Sequence, residues 1–393
     1  MNLLNQQFEL IRQSPTVAMA DRVNALKAQG YKIIGLQTGD PDFATPEAVL
    51  DMAAQVMRQG LTHYGPSRGF PDFRRSAAEK LERDNGVTYD PETEIMATHG
   101  GIHAFYTAMQ ALINPGDDVL IPDPTWATHA NMAIMLRGNA IRVPAPAENG
   151  FLPSFADWEK SLTARTRIIV INYPSNPTGI YPSRDYMQAL QDFAADHDLW
   201  VISDEVYENL YFGDHPTCAA AFPRARERTV LVQSLSKTYA MTGWRVGYLA
   251  APAAVIENAL KASQNSITCV APFVQKAAAF ALSDAGVQKA AAEMRDGYAR
   301  RRQLVLTTSS ELMSKKVFVT APMGAFYFFL DLRSLEKSSI EICENILSEM
   351  GVGLVAGAAF GQFGEGFVRM TIAASDNDVY AGFSKVVEWA DRQ

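Results

Sequence analysis

The sequence is poor in cysteine, and Cys218, Cys269 and Cys343 have neither the spacing of a disulfide framework nor that of metal ligands. Its six histidines form no ligand pattern either, so no metal site is predicted. The chain has no run of about 18 apolar residues, which excludes a membrane-spanning helix. The amino terminus also lacks the basic start and apolar core of a signal peptide. Together these absences favour the reducing cytoplasm as the location.

Positive charge is in deficit as well, since 35 Lys and Arg residues face 43 Asp and Glu residues and leave a net charge of -8. Such a balance argues against nucleic acid as the main partner. One short basic cluster, Arg300 to Arg302, lies in a helical pattern, and we expect it to be solvated. Internal repeats and low-complexity segments are absent. A length of 393 residues with 48% hydrophobic content predicts a large core spread over two or three structural units.

Apolar strand patterns alternate with helical patterns from about residue 46 to residue 282. The predicted strands cover residues 118–122, 168–173, 199–203 and 230–234. This alternation predicts an α/β fold with a mainly parallel sheet covered by helices on both faces. A helical stretch over residues 288–312 and further strands follow, which indicates a smaller α+β domain. We therefore predict a large domain, residues 46–285, and a small domain made of residues 1–45, which include an N-terminal arm, and 286–393.

The most specific motif surrounds Lys237, in residues 234–247, which read SLSKTYAMTGWRVG. A lysine amine captures carbonyl compounds when burial lowers its pKa, because a Schiff base forms from the neutral amine. Most lysines are instead solvated surface charges. The functional interpretation therefore depends on agreement with other motifs of the chain.

Several of those motifs are polar residues that follow predicted strands. Asp204 and Tyr207 follow one apolar strand, Asn176 lies in a Pro-Ser-Asn-Pro-Thr-Gly turn after another, and Trp126 follows a third. Ligands of open α/β sheets bind at the carboxyl ends of the strands, so these side chains are expected to meet there. Taken singly, each has a plainer interpretation as a helix cap, a turn residue or a core tryptophan.

Two further motifs suit anionic ligands. Gly100 and Gly101 open a predicted helix, and helix amino termini bind phosphate through backbone amides. Arg369 is flanked by apolar residues on a predicted strand, where a surface arginine would be unusual. A buried arginine without a carboxylate partner is costly, so the carboxylate of a substrate is a sensible partner.

In their order along the chain, these motifs resemble those of the class I and II aminotransferases, pyridoxal-phosphate enzymes of fold type I in the aspartate aminotransferase superfamily. The resemblance extends from Gly39 to Arg369 and so covers nearly the whole chain. It implies that pyridoxal 5'-phosphate is the cofactor. It also implies a homodimer that moves an amino group from an L-amino acid to a 2-oxo acid by a ping-pong mechanism.

The resemblance assigns a role to each matching residue. Lys237 holds the cofactor and transfers the proton, Asp204 pairs with the pyridine nitrogen, and Tyr207 and Asn176 contact the phenolic oxygen of the ring. Trp126 stacks on the ring. The phosphate is bound by residues that offer amides, hydroxyls or a guanidinium: Gly100, Gly101, Ile102, Ser234, Ser236, Arg245 and, from the neighbouring subunit, Tyr64. The substrate carboxylate is bound by Arg369, with Gly39, Trp126 and Asn176 beside it.

The side chain of the substrate is less well specified. Some bacterial aspartate-specific relatives carry a lysine directly after the paired glycines, where this chain has Ile102. An apolar residue offers no counter-charge to a second carboxylate, so a neutral or aromatic substrate is favoured. His103, His129 or a group of the partner subunit could still supply that charge, which keeps aspartate aminotransferase open.

Two alternatives come from other functional classes. A carbon-sulfur lyase could use the same scaffold, lysine and aspartate for β-elimination, because the fold alone does not determine the reaction. A ligand-sensing domain of a transcriptional regulator is disfavoured by the acidic charge and by the lack of a DNA-binding segment before residue 13.

Overall fold

A computed structural model describes residues 4–11 and 15–393. The helices are α1 Pro15–Ala28, α2 Glu47–Arg58, α3 Pro71–Asn85, α4 Gly100–Leu112, α5 Thr128–Met135, α6 Phe155–Ser161, α7 Arg184–Asp196, α8 Leu235–Thr238, α9 Ala253–Ser266, α10 Pro272–Ser283, α11 Ala285–Leu312, α12 Ser339–Asn345 and α13 Asp376–Asp391. In this described part of the chain, no helix is both long enough and apolar enough to cross a membrane.

The strands of the same residues are β1 Ile34–Gly35, β2 Ile95–Thr98, β3 Asp118–Asp123, β4 Asn139–Pro144, β5 Thr166–Asn172, β6 Trp200–Asp204, β7 Thr229–Ser234, β8 Gly247–Ala250, β9 Tyr327–Asp331, β10 Val352–Gly353, β11 Val355–Ala356 and β12 Phe367–Thr371. Seven of them form the main sheet, in the order β2-β8-β7-β6-β5-β3-β4. Within this sheet β8 runs antiparallel to β2 and β7, and the other pairs are parallel. The predicted α/β class with a mainly parallel sheet is confirmed.

Helices cover both faces of this sheet, and β5 shows why its sequence is apolar without interruption. Ile168 and Val170 pack in a cluster with residues of α4, whereas Ile169 and Ile171 pack in another cluster with residues of α7. Because successive side chains of a strand point to opposite faces, a strand buried on both faces needs an unbroken apolar run. The polar groups that end these strands therefore stand out at the edge of the sheet.

A second, three-stranded antiparallel sheet has the order β11-β12-β9, and β1 pairs in parallel with β10. Arg369 lies on the central strand of the three, opposite Phe329 on one side and Val355 on the other. These strands all come from residues 1–45 and 286–393. The limits of the two predicted domains stay a prediction.

The expectation that residues 300–302 are solvated is wrong for Arg301. Its side chain is buried, with 6% of its surface exposed, and forms ion pairs with Asp42 at 2.8 Å and Asp376 at 2.9 Å. Arg300 is exposed and Arg302 is half-buried. Adjacent residues of an α-helix point about 100° apart, so three consecutive arginines in α11 meet three different environments.

Candidate active site

A cavity of about 220 Å³ opens where the carboxyl ends of β5, β6 and β7 face the three-stranded sheet. Open α/β sheets bind their ligands at this edge. The lining residues that the sequence predicted are Gly39, Gly101, Ile102, Trp126, Asn176, Asp204, Tyr207, Ser234, Ser236, Lys237, Arg245 and Arg369. Motifs that are more than three hundred residues apart in the chain thus meet around one space.

Two predicted residues do not line this cavity. Gly100 lies directly behind Arg245, since a methyl group on Gly100 would come within 2.8 Å of the Nη2 atom of that arginine. Tyr64 is 88% exposed and stands away from the cavity. Within a single chain, therefore, Tyr64 is not brought to the other predicted residues.

Lys237 extends from α8, a single helical turn whose start is capped by the Ser234 side chain, which accepts the backbone N–H of Ser236 at 3.2 Å. The Lys237 Nζ donates a hydrogen bond to the carbonyl oxygen of Gly39. Burial lowers the pKa of Lys237 to about 8. At pH 7 roughly one-tenth of such an amine is neutral, far more than for a lysine in water.

Asp204, the last residue of β6, is buried beside His129, whose Nε2 lies 3.0 Å from the Asp204 Oδ2. The Asn172 side chain donates to the Asp204 carbonyl oxygen at 3.0 Å and accepts the backbone N–H of Asn176, also at 3.0 Å. The ends of β5 and β6 are thereby tied together. The Asp204 carboxylate itself is held by His129 and by the backbone N–H of Val206, which lies 3.4 Å from the Asp204 Oδ1. An anion held in this way is suited to pair with a cationic ring nitrogen.

The histidines considered as a counter-charge for a second substrate carboxylate do not serve that purpose in this chain. His129 is fully buried, contacts Asp204 and does not line the cavity. His103 does not line it either, and burial lowers the pKa of His103 to about 4. Its imidazole is therefore neutral at pH 7 and carries no charge for a carboxylate to meet.

Tyr207 and Tyr327 share a hydrogen bond of 2.9 Å between their hydroxyl groups. Burial raises the pKa of both phenols, so both stay protonated at neutral pH. A methyl group on Gly39 would come within 2.5 Å of the Tyr327 hydroxyl. A glycine at position 39 thus allows the chain to pass close to this pair.

Arg369 is the most buried cation of the cavity, with 1% of its surface exposed. Its Nη1 donates to the Asn176 Oδ1 at 2.9 Å, and its Nη2 donates to the Gln37 carbonyl oxygen at 2.7 Å. The Tyr327 ring lies 4.4 Å from its Cζ. Its Nε has no hydrogen-bond partner among the described residues. A buried guanidinium with a free donor and only neutral partners is suited to bind the carboxylate of a ligand.

The other end of the cavity offers donors for a phosphate group. Helix α4 begins at Gly100, so the amides of Gly101 and Ile102 lie in its first turn, where anions are stabilised. The hydroxyl groups of Ser234 and Ser236 lie 2.9 Å apart. The exposed Arg245 adds a guanidinium. Amides, hydroxyls and a cation together form a donor set that fits a phosphate.

The profile of the family described as aminotransferase class I and II matches residues 31–383. This chain belongs to that family. It is 39% identical over 388 residues to an aspartate aminotransferase from Pyrococcus abyssi, covering 96% of this chain and 97% of the relative. It is 37% identical over 390 residues to aromatic-amino-acid aminotransferase 2 from Thermococcus litoralis, covering 99% and 97%.

Solved structures agree with this assignment. The Thermus thermophilus aspartate aminotransferase with maleate superimposes with a TM-score of 0.93 at 33% identity, covering 99% of this chain and all of that one. The predicted family, fold type I and enzyme class are confirmed. The protein is an aminotransferase that uses pyridoxal 5'-phosphate and acts on amino acids and 2-oxo acids. The buried carboxylate, the partly neutral lysine and the phosphate donors described above fit this cofactor chemically.

Sequence reasoning missed five residues that line the cavity of this aminotransferase: Thr16, Asn172, Val206, Thr242 and Tyr327. Asn172 could have been found, because it is a polar residue at the end of an apolar strand. Tyr327 reads as one aromatic residue within an apolar run, and Thr16 lies at the start of a distant helix. Neither carries a local signal of function.

Proposed function

We propose that this aminotransferase prefers an amino acid with a neutral or aromatic side chain. The observation that carries the proposal is the distribution of cations in the cavity. Arg369, Arg245 and Lys237 suit the α-carboxylate, the phosphate and the cofactor carbonyl, respectively, which leaves none of the described lining cations for a second carboxylate. Ile102, with 45% of its surface exposed, offers an apolar contact instead.

The chemistry is assigned to the residues that the sequence predicted. When bound, pyridoxal phosphate supplies an aldehyde that links to amines and a ring that withdraws electrons from the substrate Cα. Lys237 would hold the aldehyde, and its free amine would take the proton from Cα, as its pKa of about 8 allows. Asp204 would pair with the ring nitrogen, Tyr207 would donate to the phenolic oxygen, and Trp126 would cover one face of the ring.

Substrate orientation is assigned to Arg369 and its partners. The guanidinium would bind the α-carboxylate of either the amino acid or the 2-oxo acid, because both substrates carry that group. Asn176 holds the guanidinium at 2.9 Å and stands beside the cavity, so it would contact both the cofactor and the carboxylate. One site therefore serves both halves of a ping-pong reaction.

We further infer that two copies of the chain form the active unit. Tyr64 is a large aromatic side chain left almost entirely exposed on a single chain, which supports a role at an interface with a second copy. In that arrangement Tyr64 would reach the phosphate of the neighbouring subunit. The cytoplasmic location stays a prediction that the three unpaired cysteines favour.

Aspartate is the second candidate substrate. A relative that is 39% identical carries the name aspartate aminotransferase, whereas one that is 37% identical is named for aromatic amino acids. The names of these relatives therefore do not decide between the two. A cation from a second subunit, or the hydroxyl group of Thr16, would have to meet the distal carboxylate.

The deciding experiment compares kcat/KM of the holoenzyme for phenylalanine, leucine and aspartate, each with 2-oxoglutarate. Ammonia is measured in parallel, because its release would indicate β-elimination. We expect kcat/KM for phenylalanine or leucine to exceed that for aspartate by about tenfold or more, because desolvation of a distal carboxylate without a counter-charge is unfavourable. Ile102→Lys should raise kcat/KM for aspartate, and Ile102→Leu is the matched control. A wild-type enzyme that prefers aspartate would contradict the proposal.

A further inference from the structure

Asp123 is the last residue of β3, and its buried carboxylate connects the main sheet to the segment that leads into β12. Its Oδ2 accepts the backbone N–H of Gln362 and its Oδ1 that of Phe363, both at 3.1 Å. Only 4% of the Asp123 surface is exposed. A carboxylate that accepts two backbone amides out of water forms charge-assisted hydrogen bonds, which are about twice as strong as neutral ones.

A wall of the Arg369 site lies directly before the segment that Asp123 holds, residues 361–363. Phe360 precedes it, is almost fully buried, and places its ring 5.2 Å from the Arg369 Cζ. The carbonyl oxygen of Phe360 accepts the backbone N–H of Thr125 at 3.0 Å, so the exit of β3 holds this segment at a third point. Trp126, which follows Thr125 in the chain, lines the cavity. The end of β3 thus connects the aromatic residue of the cofactor side to the arginine of the substrate side.

Residue 361 lies too close to the Asp123 carboxylate to carry any side chain larger than hydrogen. Gly361 has a φ of +141°, and a methyl group there would come within 1.9 Å of the Asp123 Oδ1. Arg142 on the neighbouring β4 places positive charge near the carboxylate, which opposes the effect of burial on the pKa of Asp123. Burial raises the pKa of Asp123, whereas Arg142 and the two backbone N–H donors favour its ionised form.

We propose that Asp123 is a positioning residue for substrate binding: through residues 361–363 it holds Phe360 against Arg369 and thereby fixes the guanidinium that receives the substrate carboxylate. This inference rests on the proposed role of Arg369. Asp123 contacts neither Lys237 nor the phosphate donors. Its loss should therefore weaken substrate binding in the ground state and the transition state alike, which raises KM and leaves kcat unchanged.

The test is Asp123→Asn in the holoenzyme. An amide keeps the shape of the side chain but turns one acceptor into a donor that faces a backbone N–H. We expect KM for the amino acid to rise about tenfold while kcat stays within about twofold, as the loss of one charge-assisted hydrogen bond predicts. The visible absorbance of the bound cofactor should not change. The control is Asp117→Asn, directly before β3, where the carboxylate accepts the Asn114 backbone N–H at 2.8 Å.

A second variant and a double mutant complete the test. Gly361→Ala breaks the same contact from the other side and should raise KM in the same way, even if Asp123→Asn folds poorly. In an Arg369→Lys background, Asp123→Asn should add little to KM, because both changes act on one interaction. The inference is overturned if Asp123→Asn lowers kcat alone, or if its effect adds fully to that of Arg369→Lys. If Arg369→Lys itself leaves KM unchanged, the proposed role of Arg369 is wrong instead.

Discussion

At the scale of single residues, the site derives its chemistry from burial. Removing Lys237 from water lowers its pKa, and removing Arg369 from water leaves a guanidinium that has no carboxylate partner among the described residues. Each charged side chain loses hydration that a ligand can replace. A ligand is therefore bound most strongly where charged side chains of the protein lack water and protein partners.

Lys237→Ala should abolish transamination and leave the fold intact. In the proposed mechanism this residue both holds the cofactor and moves the proton, and loss of a general base alone costs about 10²-fold to 10⁴-fold in rate. Multiple-turnover formation of the 2-oxo acid is the measurement, with circular dichroism to follow the fold. Lys289→Ala, which removes an exposed lysine of α11, is the control and should behave as wild type. Substantial turnover by the Lys237 variant would sink the assignment.

The pKa of Lys237 leads to a pH dependence in the cofactor-free enzyme. Since burial lowers this pKa to about 8, the neutral amine becomes more abundant as pH rises through 8 and reaches a plateau above it. The rate at which the apoenzyme captures pyridoxal phosphate covalently, followed by visible absorbance, should rise with the same midpoint. A rate that still climbs steeply at pH 10 would show an amine with the pKa of an ordinary exposed lysine.

The sequence alone predicted those residues that a local pattern marks. Lys237, Asp204 and Asn176 lie in short motifs at strand ends, where the change from apolar to polar residues is visible without coordinates. Tyr327 and Thr16 reach the cavity only because distant segments fold together, so no nearby pattern reveals them.

At the scale of helices and strands, buried ion pairs hold the layers around the site. Lys80 of α3 forms an ion pair with Glu208, four residues after β6, and Asn85 also donates to that carboxylate. Both charged side chains are almost fully buried. Their attraction offsets the cost of leaving water only while both partners are present. The pair therefore connects a covering helix to the segment that carries Tyr207.

Lys80→Ala should destabilise the protein by about 3–5 kcal/mol, because it leaves the Glu208 carboxylate buried without its cation. The free energy of unfolding in urea is the measurement. The matched control is Lys276→Ala, which removes a more exposed pair between α10 and Asp72 of α3. Exposed pairs contribute about 0–1 kcal/mol, so equal losses in the two variants would contradict this explanation.

Strand positions were predicted to within a residue or two, because an apolar run with a polar end is a strong pattern. The environments of the three arginines of α11 were not predicted correctly. The sequence shows three adjacent cations, whereas Arg301 meets Asp42 and Asp376 only after the chain has folded. A tertiary ion pair has no signature within a helix, and so the expected solvated cluster was wrong.

At the scale of the whole molecule, we propose that Tyr64, which is exposed on a single chain, completes the phosphate site of the neighbouring subunit. Subunit mixing tests this directly. If Tyr64 acts across an interface, a hybrid of Lys237→Ala and Tyr64→Ala subunits contains one site with an intact lysine and an intact tyrosine. Mixing the two impaired variants should then restore activity, and each hybrid dimer should reach about half of the activity of a wild-type dimer. No recovery, despite exchange of subunits shown by mass spectrometry, would place Tyr64 elsewhere.

Arg369 lies in the middle of a three-stranded sheet, paired on both sides, whereas Ile102 and Thr16 lie in the first turns of two helices. In the proposed arrangement, the α-carboxylate that every amino acid carries faces an inner strand. The side chain that distinguishes one amino acid from another faces residues outside both sheets. New substrate preferences could arise by single exchanges at helix starts, without rebuilding the framework. Positions 16 and 102 are therefore the first to exchange when a new substrate preference is to be engineered.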